Sequence, residues 1–217
     1  MLRSPLSAVG QSKRCGAMPS VTDVYNGALR LVGGSRVTSP TDGSKNANAA
    51  NDIYPELRDD LLASNPWNFA TKRQQLARSS AAPGFGFNYA FPLPSDWIRT
   101  VSVHGDEAGT GPLNFREEVV DNQRAIVSDS ADCYLRYIFR QIDPNMMSAN
   151  FLRALELALA RDLAVPIANS NTLEDQLARK AERALATARS TDALGAFPER
   201  RPRGSWASVR GGNRWYQ

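Results

Sequence analysis

Apolar residues along this chain follow two spacings, helical and strand-like, and the two regimes occupy separate blocks. From about Ser20 to Leu31, Val21, Val24, Tyr25, Ala28 and Leu29 recur at steps of three and four, as one helix face demands. Ser20 or Thr22 can cap its start, and Gly33-Gly34 can stop it, because glycine tolerates the left-handed backbone that follows a helix end. After a polar turn, a second helical pattern spans about Ser44 to Ser64, with Ala50, Ile53, Leu57, Leu61 and Leu62 on one face. Pro55 inside it predicts either a kink or two abutting helices.

The spacing changes after Asn65-Pro66. Aromatic and β-branched residues with Gly and Pro punctuation then predict strands at Trp67 to Leu76, Trp97 to His104, Phe115 to Val120, Gln123 to Ser128 and Cys133 to Gln141. Asp121-Asn122 is a short hairpin turn, Gly105 to Gly111 a longer loop, and one antiparallel sheet follows. Beyond Asp143-Pro144, Ser148 to Ala168 reads as a helix apolar on more than one side, with Pro166 ending or kinking it. A last helix opens at Asn171 or Thr172, with Asp175 three residues beyond Thr172 as a weak capping box. It carries Leu173, Leu177, Ala181, Ala184, Leu185 and Ala188 on one stripe. From Gly195 onward periodicity is lost.

The order is two helices, strands, two helices, then a tail. It predicts an α+β chain: an antiparallel-type four-helix bundle with an inserted antiparallel β domain and an extended C-terminal arm. The corresponding division is a basic extension at 1–17, a helical bundle at 18–66 plus 144–195, a β domain at 67–143 and an arm at 196–217.

The chain has 217 residues, 42% hydrophobic and 22% charged, with 15 Gly and 13 Pro, which excludes collagen-like and fully disordered classes. Its formal charge of +4 is unevenly placed. Residues 1–17 hold three basic and no acidic side chains, and residues 196–217 five basic against one acidic. Residues 18–195 hold 18 basic and 21 acidic side chains, so the body is mildly acidic and only the ends are basic. The N-terminal stretch lacks the apolar run of a secretory signal; a transit peptide or an extension upstream of Met18 are its other readings. No stretch has the ~20 apolar residues of a membrane span, since Arg161 and Asp162 interrupt the best one. Cys15 and Cys133 read as reduced thiols in a reducing compartment.

Catalytic constellations are sparse. His104 is the single histidine, so a multi-histidine metal site is excluded and a Ser-His-Asp arrangement would have to use it. His104 with Asp106 and Glu107 could bind a cation, but a solvated loop is the simpler reading. Gly84-Phe-Gly86 lacks the third glycine of a dinucleotide loop. The adjacent carboxyl pairs Asp59/Asp60 and Glu117/Glu118 point to different faces and read as solvated charges. No catalytic residue, cofactor or metal is expected, and the chain is not expected to be an enzyme.

The tail, by contrast, concentrates Arg200, Arg201, Arg203, Trp206, Arg210, Arg214, Trp215 and Tyr216. Arginine and tryptophan are enriched in binding hot spots, and an arm of this kind gains order on a partner. The same residues would suit single-stranded nucleic acid through stacking and phosphate contacts.

Read whole, the chain from Val21 to Arg210 resembles the tail tubular protein A family, the head-to-tail adaptors of short-tailed bacteriophages. The likeness rests on Ala28-Leu-Arg-Leu-Val-Gly33, Tyr54-Pro-Glu-Leu-Arg-Asp-Asp-Leu-Leu62 and, above all, Asn65-Pro-Trp-Asn-Phe-Ala-Thr-Lys-Arg73 leading to Leu76-Ala77. It continues in Phe85-Gly-Phe-Asn-Tyr-Ala-Phe-Pro-Leu-Pro-Ser-Asp96, the Ala/Leu-rich helix from Phe151, and Gly204-Ser-Trp-Ala-Ser-Val-Arg210. The first 17 residues lie outside it. The resemblance implies a virion protein of the tail, made in the host cytoplasm, forming a dodecameric ring that joins portal protein to tail nozzle. Tail fibres are a further partner, and DNA passes through the channel without sequence-specific binding. It also implies that the arm residues named above dock on the portal. Phe151, Leu155 and Leu159 would pack within and between protomers.

Pro66, Trp67 and Phe69 read as a structural junction: Pro66 stops the helix, and Trp67 and Phe69, facing one way on a strand, pin sheet to bundle. Helix faces lining the ring are expected to be acidic or mixed, since a continuous arginine lining would hold DNA. Two other functions remain open on sequence: a nucleic-acid-binding module using the arm, and a virion-associated cell-wall hydrolase, for which no carboxylate pair is identifiable.

Overall fold

The computed structural model describes residues 18–109 and 113–195; the segments expected at 1–17 and 196–217 lie outside them. Among the described residues there are four α-helices: α1 (Val21–Val32), α2 (Lys45–Ala63), α3 (Ala149–Ala168) and α4 (Asn171–Leu194). Each starts on a serine whose side chain accepts a backbone N–H of the first turn: Ser20, Ser44, Ser148 and Ser170. At α1 the cap is reciprocal, since Asp23 accepts from the Ser20 N–H. Gly33 (φ 75°) and Asn169 (φ 49°) end α1 and α3 in the left-handed conformation. The α4 cap is Ser170, not the expected Thr172 box. Pro55 lies inside one continuous α2, and Pro166 inside the last turn of α3, so neither divides its helix.

Among the described residues six strands follow α2: β1 (Thr71–Leu76), β2 (Tyr89–Pro92), β3 (Trp97–His104), β4 (Phe115–Val120), β5 (Gln123–Ser128) and β6 (Cys133–Phe139). They form two antiparallel three-stranded sheets, in the orders β1-β6-β3 and β2-β5-β4. The β4–β5 hairpin turns at Asp121 (φ 51°) and Asn122 (φ 60°), two left-handed residues that match the twist of the flanking strands.

The expected four-helix bundle with an inserted single-sheet domain is corrected by three features. First, the helices do not form a ring of four mutual neighbours: α3 is central and packs on α1, α2 and α4, while α1 and α2 meet chiefly through Tyr25, which bonds to Asn51 and packs edge-on against Tyr54. Wide apolar coverage makes this possible, with Phe151, Leu155, Leu159, Ala160, Leu163 and Ala164 fully buried around α3. Second, the strands make two sheets. Register forces the separation, because β6 pairs with β1 and β3 while β5 pairs with β2 and β4. Third, the strands are not a separate insert: Ile138, Ile98 and Val101 of the first sheet belong to the helical core. The described chain is thus a mixed α+β fold in which sheet and helices share a core, with the two longest helices after the strands.

The first sheet is buried unequally on its two faces. Leu76, Val103, Cys133, Leu135 and Tyr137 pack on Phe91 and Ile126 of the second sheet, forming a second core. The opposite face meets the helices at the Ile138 end only.

Trp67 joins the two halves. The expected strand from Trp67 starts four residues later, because Asn68–Ala70 forms a 3₁₀ turn that tips the tryptophan into the helical core. Its ring is fully buried, 5.0 Å edge-to-face from Phe151 and 5.8 Å from Phe69. The indole N–H donates to the Leu61 carbonyl at 2.9 Å, an acceptor near the end of α2 that it shares with the Ser64 hydroxyl. Replacing Trp67 with Ala is expected to cost about 3–5 kcal/mol in urea unfolding. A second pair of substitutions separates two buried tyrosines. The Tyr25 hydroxyl donates to Asn51, whereas the Tyr54 hydroxyl is buried without a partner. Tyr25→Phe should therefore destabilise by about 1 kcal/mol, and Tyr54→Phe by close to nothing.

Candidate functional site

The half of the first sheet that the helices leave uncovered forms the floor of an open groove of about 690 Å³. Strand alternation sets its chemistry, because every second side chain points to the same face. One cross-strand row is Arg73, Arg136 and Ser102; the next is Gln75, Tyr134 and His104. Asp106 to Gly109, in the loop leaving β3, forms one wall, and Gly109 takes the left-handed backbone at φ 65° beside the His104 ring, where an added Cβ would stand in ordinary contact at 3.7 Å. The Arg73 and Glu107 side chains make no hydrogen bond or ion pair among the described residues. The groove thus carries cationic side chains on its floor and a carboxylate wall on the β3 side. Its size is that of a small-molecule or peptide-segment site.

The only histidine sits in this groove, with Nε2 3.1 Å from Ser102 Oγ. Both residues lie on the flat face of one strand, two positions apart, without the sharp turn that presents a nucleophilic serine in α/β hydrolases. The arrangement supplies polar recognition. No group of three or more His, Cys, Asp or Glu side chains that could hold a metal occurs among the described residues.

A second polar centre ties the groove's strands to the rest of the fold. Asp96, two residues beyond Pro94, accepts from Lys72 Nζ at 2.7 Å and from the Tyr137 hydroxyl at 3.1 Å. Lys72 also lies 3.8 Å from the Phe139 ring centre, a cation–π contact. Burial pushes the Asp96 carboxyl up, but the hydrogen bonds from Lys72 and Tyr137 and the Lys72 charge outweigh it and leave it below the ordinary value. The Tyr137 hydroxyl is pushed up to about 12 by burial and by the Asp96 charge.

A third contact fixes the end of α4. The Asn68 N–H donates to the Asp192 carboxylate at 3.1 Å, and the Asn68 amide donates to the Asp192 carbonyl at 2.6 Å. Nothing in the spacing of the sequence pairs these residues, which lie 124 positions apart.

Pro66, Trp67 and Phe69 are brought together at the junction described above. Phe151, Leu155 and Leu159 have no exposed surface and lie in the core of a single chain. Arg200, Arg201, Arg203, Trp206, Arg210, Arg214, Trp215 and Tyr216 lie outside the described residues. Asp59 is held by Arg58 and Arg140, each at 2.7 Å, and Glu117 and Glu118 are exposed on β4, so neither carboxyl pair forms a joint site. Cys133 is buried, and burial raises its thiol to about 11, so it is chemically quiet. No helix of the described residues is long and apolar enough to cross a membrane.

Because the folded Asp96 carboxyl ionises below its unfolded value, its contribution to stability is complete above the ordinary carboxylate range. It is lost as pH falls through the folded value. Thermal melting between pH 7 and pH 3 should show Asp96→Asn removing part of the acid-induced loss seen in the parent chain. An unchanged acid profile would show that the Asp96 pairing does not couple to folding.

No protein-family model matches the chain, and no curated protein is similar enough to be matched with it.

Proposed function

We propose that the protein is a non-enzymatic structural adaptor of a phage tail, a ring-forming connector between portal and nozzle of the kind its sequence resembles. The observation that carries this reading is that motifs scattered along the chain converge on one physical network. Leu61, in the second motif, accepts from Trp67 in the third. Lys72, in the third, pairs with Asp96 at the end of the fourth. Phe151, opening the Ala/Leu-rich helix, packs on both Trp67 and Phe69. Residues that meet in space, and not merely in order, are what a shared fold would require of these likenesses.

Surface chemistry is compatible with a channel component. Helix α4 carries Glu174, Asp175, Glu182 and Asp192 against Arg179, Lys180, Arg183 and Arg189, so its charges balance. A mixed face of this kind attracts no continuous layer of phosphates. The Arg/Trp-rich segment beyond Gly195 supplies the portal contact in this reading, and the ring forms on its template.

The test is cryo-electron microscopy of the full chain mixed with its portal, paired with a binding measurement. Rings at the portal base are expected, and replacing Arg201, Arg203 and Trp206 together with Ala should weaken binding at least tenfold without changing the melting temperature. Absence of any portal complex would refute the reading. Salt-sensitive binding to single-stranded DNA in its place would favour the nucleic-acid alternative.

A further inference from the structure

Each of the two sheets has two edges, and the four edges are not alike. Among the described residues, the Leu113 N–H donates to the Val103 carbonyl on the edge strand β3, and the Ser79 N–H donates to the Ala90 carbonyl at 2.8 Å on the edge strand β2. The outer edges of β1 and β4 have no backbone hydrogen bond of this kind among the described residues. Both are exposed, over Lys72 to Gln75 and over Arg116 to Val119. An open edge presents a row of backbone donors and acceptors to any strand that reaches it.

The two open edges are opposite in charge. β1 carries Lys72 and Arg73, and β4 carries Glu117 and Glu118. Lys72 is engaged by Asp96, whereas the Arg73, Glu117 and Glu118 side chains make no hydrogen bond or ion pair among the described residues. Beside the two glutamates stands Val119, a large apolar side chain that is 69% exposed. Within one chain β1 and β4 belong to different sheets and do not pair. Pairing β1 with β1, or β4 with β4, about these residues would set like charges opposite each other, which is destabilising. Pairing β1 of one copy with β4 of another sets a cation opposite a carboxylate.

The faces of the strands select a register. Leu76 of β1 and Phe115 of β4 both belong to the second core, so Lys72, Gln74 and Leu76 share its side on β1, and Phe115, Glu117 and Val119 on β4. An antiparallel pairing that keeps these faces together sets Arg73 opposite Glu118, Leu76 opposite Phe115, Lys72 opposite Val119 and Thr71 opposite Val120. Arg116 then falls opposite Gln75, and no cation opposes a cation. A slip of one residue would exchange the faces. It would turn the neighbour's helices, which lie on the Thr71 and Ile138 side of its first sheet, towards the first sheet of this chain.

We propose that β1 of one protomer adds antiparallel to β4 of the next, with Arg73 paired to Glu118, joining the first sheet of one copy to the second sheet of its neighbour. The two partners use different surfaces, so the contact repeats from copy to copy and closes as a ring or runs on as a filament according to the rotation at each step. It deepens the adaptor reading by naming the surfaces through which copies join; closure into a ring rests on that reading, and the contact itself does not.

Sedimentation velocity of the full chain without portal tests the contact at concentrations up to about 1 mM, the order of effective concentration that tethered neighbours reach. Hydrogen exchange is read in parallel at the β1 and β4 amides that do not face β6 and β5. Association should grow with concentration, and those amides should gain at least tenfold protection as it does. Arg73→Glu and Glu118→Arg should each weaken association at least tenfold at the parent melting temperature. An equimolar mixture of the two variants should recover it to within threefold, because each chain then meets a complementary edge on the other. A chain that stays monomeric, association without protection of these amides, single reversals without effect, or a mixture that does not recover would each overturn the proposal. Association through these edges by a chain that forms no portal complex would uphold the contact and sink the adaptor reading. Portal rings built equally well by the single reversals would do the opposite.

Discussion

Burial of the Trp67 indole is the constraint on which the rest of the fold depends. It occupies the one place where the end of α2, the middle of the chain and the first turn of α3 must meet, and it does so with its N–H satisfied by Leu61. A large ring buried without that bond would leave a polar group in the core, at a penalty comparable to the packing gained. The bond needs the 3₁₀ turn at Asn68–Ala70, and the turn in turn sets where β1 begins and which face its side chains take. The polar groove, the Lys72–Asp96 contact and the Asn68–Asp192 contact all follow from that start point.

Much of the secondary structure is legible from residue spacing because it rests on local rules. Serine caps, Gly33 and the Asp121-Asn122 turn are short-range signals, and five of six strands lie where alternation places them. β2 escapes because Tyr89–Pro92 is four residues long and ends on proline, too short to show a period. Architecture escapes residue spacing for a different reason. Element order alone is compatible with a bundle carrying an insert. Whether Ile98, Val101 and Ile138 turn towards the helices or towards a second sheet is set by tertiary pairing, and no periodicity records that.

The site was legible in part. His104, Asp106 and Glu107 attract notice as isolated polar groups, yet the groove they border is made by Arg73 and Arg136, which come from strands more than sixty residues apart in sequence and are brought side by side by register. Pro66, Trp67 and Phe69 were recognisable because a proline followed by two aromatics after an amphipathic run marks an element boundary. Asp192 was not, since a carboxylate near the end of a charged helix looks like any other solvated group until its partner is known.

The Asn68–Asp192 contact has a mechanical consequence. A terminal helix fastened only by its apolar stripe can be peeled away one turn at a time when its end is pulled. Here the last turn of α4 is clamped to the root of β1 by two hydrogen bonds. Tension applied beyond Gly195 therefore enters through the clamp and is shared at once by the aromatic junction and by the first sheet. The load reaches those contacts together, so the last turn of α4 gives way with the junction and not ahead of it.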